Sequence, residues 1–177
     1  MFAMSIDVRR PARKRAGLLA AALRAFALTA VLLFSAGAQA DPVELERIMQ
    51  TVRSERAGFE SNLLQAYQDL DSGLVAEAQH GFGLARANTT ALSAALAELD
   101  AEMDRSMQAG EYTDKRALAI AVQHGKNAKK LIDMIDAYLQ LMQDQPHPFT
   151  RALIDSRRPA FDEKLAQLET ELANSQA

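Results

Sequence analysis

From residue 41 onward the sequence predicts an all-α protein, specifically an antiparallel four-helix bundle. Apolar residues in this part of the chain recur three and four positions apart, which is the spacing of one face of an α-helix. No stretch alternates apolar and polar residues as a strand does, and glycine and proline are sparse. Short connections separate four helical stretches, which favours antiparallel neighbours in a bundle.

The first 40 residues have the organisation of a cleavable export signal. A basic stretch precedes an apolar run over residues 25–34, and the small residues Ala38 and Ala40 then form a signal-peptidase site. We therefore expect cleavage between Ala40 and Asp41. The mature chain is expected to be periplasmic, in a bacterium, with no stable membrane insertion.

An uncleaved membrane anchor over residues 16–36 is the alternative interpretation. Arg24 would then lie in the middle of the bilayer, at a cost of about 2.5 kcal/mol or more, so cleavage is the favoured prediction. Removal of residues 1–40 leaves one all-helical domain, residues 41–177, which is long enough to bury a core. The chain has no cysteine, which excludes thiol catalysis, c-type haem attachment and thiolate metal sites.

The first two helices are predicted on either side of the turn sequence Asp71-Ser72-Gly73. Pro42 suits the first position of a helix, so the first helix is expected from there to Leu70. The second is expected from Leu74 to about Met107. Two glycines and an Asn-Thr-Thr run predict a kink or a break in it near residues 81–90, and whether 74–108 form one helix or two stays open.

The third helix is predicted from Thr113 or Asp114 to Gln143, with its widest apolar stripe around Ile135. The sequence Gln145-Pro146-His147-Pro148 cannot continue it, because prolines lack the donor and restrict the preceding residue. A break is therefore expected at 145–149.

The C-terminal segment is predicted to contain a short helix and then a long one. Thr150 is expected to cap the short helix, which reaches Ile154, and Pro159 is expected in the first turn of the last helix. The last helix has an apolar seam at helical spacing, formed by Phe161, Leu165, Leu168 and Leu172. Either the chain's other helices or a partner's helix must cover this seam, and it is the candidate partner-facing surface. Of the two readings, packing within the chain is the favoured one.

Residues around the first turn resemble a single tetratricopeptide repeat. They are Ala66, Tyr67, Leu70, Gly73, Glu77, Ala78, Phe82 and Ala85. The resemblance implies two closely packed antiparallel helices, so tetratricopeptide-like helical hairpins are the alternative fold. The pattern does not recur around residues 110–112, and a solenoid needs about three repeats.

Two histidines stand in the same local sequence, Gln-His-Gly, at His80 and His124. One histidine from each of two facing helices, or a histidine with a methionine such as Met49, could ligate haem or copper. A bundle of this kind resembles the cytochrome b562-like proteins in outline. The last helix has no histidine that could serve as the second axial ligand of a haem. The resemblance therefore does not extend to a complete haem site. The sequence leaves open whether the two histidines meet in space.

An acidic run matches part of a calcium-loop pattern. Asp100, Glu102, Asp104 and Glu111 fall at loop positions 1, 3, 5 and 12, but Arg105 stands where the loop requires glycine. The helical apolar stripe also continues through the run. We therefore predict a solvated helix face here and no metal site.

Charge and motifs narrow the classes of function. Residues 1–40 hold six of the twenty Lys and Arg residues and one of the twenty-three Asp and Glu residues, which leaves the mature chain with a net charge of −8. Nucleic acid is therefore not an expected partner. No nucleophile–base pair or glycine-rich phosphate loop is recognisable, so no catalytic residue is assigned. We expect a non-enzymatic binding, adaptor or chaperone-like protein without a cofactor, acting through helix surfaces on protein partners or on copies of itself. The alternative is a haem-, metal- or small-ligand-binding bundle. An enzyme is the third hypothesis, and it would require polar groups that are scattered in the sequence to cluster in space.

Overall fold

The computed structural model describes residues 42–110 and 112–176, and the predicted export signal lies outside the described residues. Four helices account for most of this part of the chain, and it contains no strand. They are α1 (Pro42–Asp71), α2 (Val75–Ala109), α3 (Lys115–Asp144) and α4 (Pro148–Gln176). The predicted bounds of α1 and α3 agree with these within one or two residues.

The helices form an antiparallel four-helix bundle, as predicted. Each helix packs on the next one along the chain. Arg47 near the start of α1 reaches Glu98 late in α2, while Asn62 further along α1 bonds Asn88, so the two helices run in opposite directions. With 29 to 35 residues each, the helices are far longer than those of a tetratricopeptide repeat. The tetratricopeptide-like alternative therefore describes only the local packing around the first turn.

One apolar core runs the length of the bundle, and every helix contributes to it. The largest fully buried side chains are Phe59, Phe82, Phe161, Ile48, Leu63, Leu92, Leu96, Leu99, Met103, Leu118, Ile132 and Ile135. The core follows the helical apolar stripes that the sequence shows, because each helix can remove only one face from water.

Residues 75–109 form one helix and not two, so the break that was one of the two expectations for α2 does not occur. Gly81 lies against α1, where a methyl group at this position would be 2.9 Å from the Cβ of Ala66. Asn88 accepts a hydrogen bond from Asn62 on α1, and the Thr89 hydroxyl donates to Asp136 on α3 at 2.8 Å. These poor helix formers make contacts between helices, and packing of this kind outweighs helix propensity.

The two turns that join α1 to α2 and α2 to α3 each contain a glycine with positive φ, Gly73 and Gly110. This backbone conformation is strained for other residues, which explains glycine at these helix ends. The α3 helix begins as predicted, because the Asp114 carboxylate accepts hydrogen bonds from the backbone N–H groups of Arg116 and Ala117.

The C-terminal segment is one helix, which corrects the predicted short helix and second start. Chain direction changes at 145–147, and α4 begins at Pro148. His147 caps it in place of Thr150, because its Nδ1 accepts from the backbone N–H of Phe149 at 3.1 Å. Pro159 lies inside the helix and is exposed, so the carbonyl of Asp155 that it cannot bond is close to water.

Candidate partner-binding surface at the turn end of the bundle

The predicted seam of α4 belongs to the core. Phe161 and Leu168 are 0% exposed, Leu165 is 4% exposed and Leu172 is 7% exposed. The Leu168 methyl groups lie about 4 Å from the place where a Cβ on Gly125 of α3 would stand. The chain's own helices therefore cover this seam.

The two histidines do not come together. Gln79 contacts the carbonyl of Asp144 and Asp100 pairs with Lys126, which fixes the register of α2 against α3. His80 is therefore separated from His124 by about 19 residues along the bundle, or about 28 Å at 1.5 Å per residue. Met49 is 3% exposed and belongs to the core. Among the described residues, no three His, Cys, Asp or Glu side chains are grouped to hold a metal ion.

The acidic run in α2 is less solvated than predicted. Glu102 is only 2% exposed, and its Oε2 lies 2.5 Å from Nη2 of Arg105, one turn further along the helix. Asp100 is half-buried beside Lys126, whereas Asp104 is exposed as expected. The helix passes straight through residues 100–109, so these residues do not form a calcium loop, and Glu111 lies outside the described residues. A buried carboxylate needs a partner, and Arg105, which excluded the calcium loop, supplies it.

The fourth side of the bundle, between α1 and α4, is built differently from the other three. Among the described residues, no Cα of α1 lies within 8 Å of a Cα of α4. Long side chains bridge the wider gap with ion pairs at three successive levels, which are Arg53–Glu169 (2.9 Å), Arg56–Asp162 (2.8 Å) and Arg158–Glu60. These ion pairs connect α1 to α4 across the gap. Between α1 and α2, by contrast, small residues allow the two backbones to approach closely.

The row ends in a cluster around Tyr67. The Tyr67 hydroxyl donates to Asp155 at 3.3 Å, and the Arg151 guanidinium stacks 4.2 Å from the centre of the Tyr67 ring. Arg151 also pairs with Asp71 at 2.7 Å. Burial, and secondly the negative charge of Asp155, raises the pKa of the Tyr67 phenol, so the hydroxyl stays a donor. This cluster ties the start of α4 to the end of α1.

Exposed apolar side chains concentrate at this same end of the bundle. We call it the turn end, because both the α1–α2 turn and the α3–α4 connection lie there. Of the seven large apolar side chains that are exposed among the described residues, six lie on this half, and the seventh is Ile120. The six are Leu64, Leu74, Val75, Leu84, Leu141 and Phe149. Phe149 is 66% exposed, which is unusual for a residue whose burial contributes so much to stability.

A groove of about 410 Å³ opens on the same half of the bundle, between α1 and α2, and Leu84 is part of its lining. It is lined by Asn62, Gln65, Asp69, Ala76, Glu77, His80, Gly81 and Leu84. We refer to the groove and the six exposed apolar side chains together as the turn-end surface.

Acidic residues surround the turn-end surface. Asp69 and Glu77 line the groove, and Asp71 and Asp144 are the last residues of α1 and α3. Arg151, near the start of α4, pairs with Asp71. An apolar surface with a carboxylate rim has the chemistry to hold a segment that is both apolar and basic. Sequence reasoning missed it, because its residues come from two separate helix ends and have no common period.

Comparison with known proteins gives no relative. No family model matches the chain, and no curated protein or solved structure is similar to it. No helix among the described residues has the length and apolar composition to cross a bilayer.

Proposed function

We propose that the mature chain is a non-enzymatic binding protein of the bacterial envelope. It holds an exported protein partner on the turn-end surface, through a segment of the partner that is helical, apolar on one face and basic on the other. The observation that carries the proposal is the concentration of six exposed large apolar side chains on one half of the bundle. The groove between α1 and α2, which has Leu84 in its lining, adds a concave surface to this half of the bundle, and such clefts are the usual places where proteins bind partners and ligands.

The charge of the surface supports the chemistry proposed for the partner. Glu77 and Asp144 are exposed, and neither forms an ion pair among the described residues. They are free to attract Lys or Arg side chains, while Phe149 and Leu74 offer the apolar contact. Helices that bind in this way present apolar residues at helical spacing to the surface that receives them.

A designed peptide tests the proposal on the mature protein, residues 41–177. The probe is an amphipathic helix with leucine on one face and lysine on the other, and its control has the same composition in scrambled order. Fluorescence anisotropy should give a Kd on the order of 10 µM for the probe, corresponding to about −7 kcal/mol. The scrambled peptide should bind at least ten times more weakly, because its leucines share no face.

Serine substitutions locate the binding site. The triple variant Leu74→Ser, Val75→Ser and Phe149→Ser removes three exposed side chains and should lose at least ten-fold in affinity. It should still fold, since Leu74 is the N-cap position of α2 and gives no side-chain cap, which serine would supply. The triple variant Ala94→Ser, Ala97→Ser and Ala101→Ser, at exposed positions of α2 on the opposite half, is the matched control and should bind like the parent. Equal binding by the triple variant and the parent would refute the proposed surface.

The proposed location has its own test. N-terminal sequencing of the protein from the cell envelope should begin at Asp41, because Ala38 and Ala40 fit the signal peptidase site. A chain that retains residues 1–40 and sediments with membranes would contradict export by a cleaved signal.

A further inference from the structure

The first half of α3 carries a continuous basic segment. Between residues 115 and 132 it has five basic residues and no acidic one. The five are Lys115, Arg116, Lys126, Lys129 and Lys130. The rest of the mature chain is acidic overall, so this segment is the exception on its surface.

Two of these five basic side chains already form ion pairs within the bundle. Lys126 lies 3.5 Å from Asp100 on α2, and Lys129 lies 2.8 Å from Asp133 one turn further along α3. Lys115, Arg116 and Lys130 are exposed and form no ion pair with the described residues. These three cations are available to a partner.

An apolar side chain stands among the available cations. Arg116, Ile120, Gln123, Asn127 and Lys130 follow one another at helical spacing and so lie along one stripe of α3. Ile120 is the one large exposed apolar side chain that lies away from the turn end, among the described residues. We call this stripe, together with Lys115, the basic face.

We infer that the occupant of the turn-end surface is the basic face of a second copy of this chain. The inference rests on the proposed function and names its partner. The basic face is itself an amphipathic helix surface, with Ile120 as its apolar contact and cations on either side. Glu77 and Asp144 of one copy would attract Arg116 and Lys130 of the next.

The contact must join different copies. Ile120 lies 24 residues before the C-terminal end of α3, which is about 36 Å from the turn end along the bundle. The two surfaces are therefore far apart on one molecule and differ from each other, so each copy can bind one neighbour at each end. Association is head to tail and concentration-dependent, and it weakens as salt screens the charges.

Sedimentation velocity of residues 41–177 tests the inference. At low ionic strength the weight-average sedimentation coefficient should rise with protein concentration. Salt raised well above physiological strength should return it to the monomer value. A wild-type chain that stays monomeric across the concentration range at low salt would overturn the inference.

Charge reversals identify the two surfaces. The variant Arg116→Glu with Lys130→Glu should be monomeric, and so should the variant Glu77→Lys with Asp144→Lys. A mixture of the two should associate again, because each supplies the charge that the other has lost. Arg157→Glu reverses an exposed, unpaired cation on α4 outside the basic face, and it should associate like the wild type. Association of either double variant alone, or failure of the mixture to associate, contradicts the assigned contact.

The probe peptide separates this inference from the proposed function. A wild-type chain that binds the peptide but never self-associates would leave the turn-end surface as a binding site and reject the second copy as its occupant. A chain that binds the peptide and self-associates, with both activities lost in the Glu77→Lys and Asp144→Lys variant, supports both. A chain that does neither rejects both.

Discussion

Replacement of Gly81 by alanine tests the packing of α1 against α2 most directly. A methyl group on Gly81 would lie 2.9 Å from the Cβ of Ala66 and 3.2 Å from its Cα. Carbon atoms in good contact are about 3.5–4.0 Å apart, so the two helices would have to separate by roughly 0.6–1 Å at this level. Overpacking of this kind costs about 1–3 kcal/mol.

Alanine also has a better helix propensity than glycine, which stabilises the variant by about 1 kcal/mol. The net change for Gly81→Ala is therefore a loss of about 0–2 kcal/mol in the free energy of unfolding. Gly83→Ala is the matched control, two residues further along the same helix. Its methyl group would meet only the end of the Gln143 side chain, at 3.0 Å, and that flexible chain can move aside. This variant should gain up to about 1 kcal/mol.

Urea denaturation followed by circular dichroism measures both variants. The denaturation midpoint should fall for Gly81→Ala and rise for Gly83→Ala, with little change in slope. Adding Ala66→Gly to Gly81→Ala should recover part of the loss, and the double-mutant cycle should show a favourable coupling of about 1 kcal/mol. Equal stability of the two single variants would mean that Gly81 does not mark a close approach of the helices.

Three further changes test the core, a cap and the Tyr67 cluster. Ile135→Asp should cost about 4 kcal/mol or more in thermal or urea unfolding, because it leaves an unpaired charge in the core, whereas Ala137→Asp on the exposed side should change stability by less than about 0.5 kcal/mol. Asp114→Ala should cost about 1 kcal/mol, since it removes the N-cap of α3, and an unchanged melting temperature would refute that role. Because folding raises the pKa of Tyr67, the phenol loses its proton at a lower pH in the unfolded chain than in the folded one. The protonated Tyr67 phenol therefore contributes fully to stability below about pH 10, and this contribution is lost as the pH rises further. Tyr67→Phe should therefore lose less stability than the parent between neutral and strongly alkaline pH, and identical alkaline profiles would contradict the buried phenol.

The proposed binding surface shows the limit of reasoning from the sequence alone. The α4 seam was recognised because its four residues repeat at helical spacing, and such a repeat indicates burial without saying what covers it. The turn-end surface has no repeat. Leu74 and Phe149 are far apart in sequence, and each looks like an ordinary residue of a helix end. Only the antiparallel arrangement brings both to one end of the bundle.

The sequence by itself determined the four helical regions, the bounds of α1 and α3, and the core. The apolar period selects one face of each helix, the glycine turns at Gly73 and Gly110 and the prolines after 145 end the helices, and Asp114 starts α3. These signals are local, because a helix and its caps are set by residues within a few positions of one another. The four-helix antiparallel order follows from the short connections between them.

The tertiary structure decided everything that depends on a neighbour from another helix. Gly81 and Thr89 stay in a continuous helix because Ala66 and Asp136 stand opposite them, although locally both favour a break. The orientation of each helix relative to its neighbours also decides which side chains are buried. Glu102 and the α4 seam are buried in this way, and the turn-end surface stays exposed. Packing energies of this kind arise between residues tens of positions apart, and they exceed the local propensities that a single sequence displays.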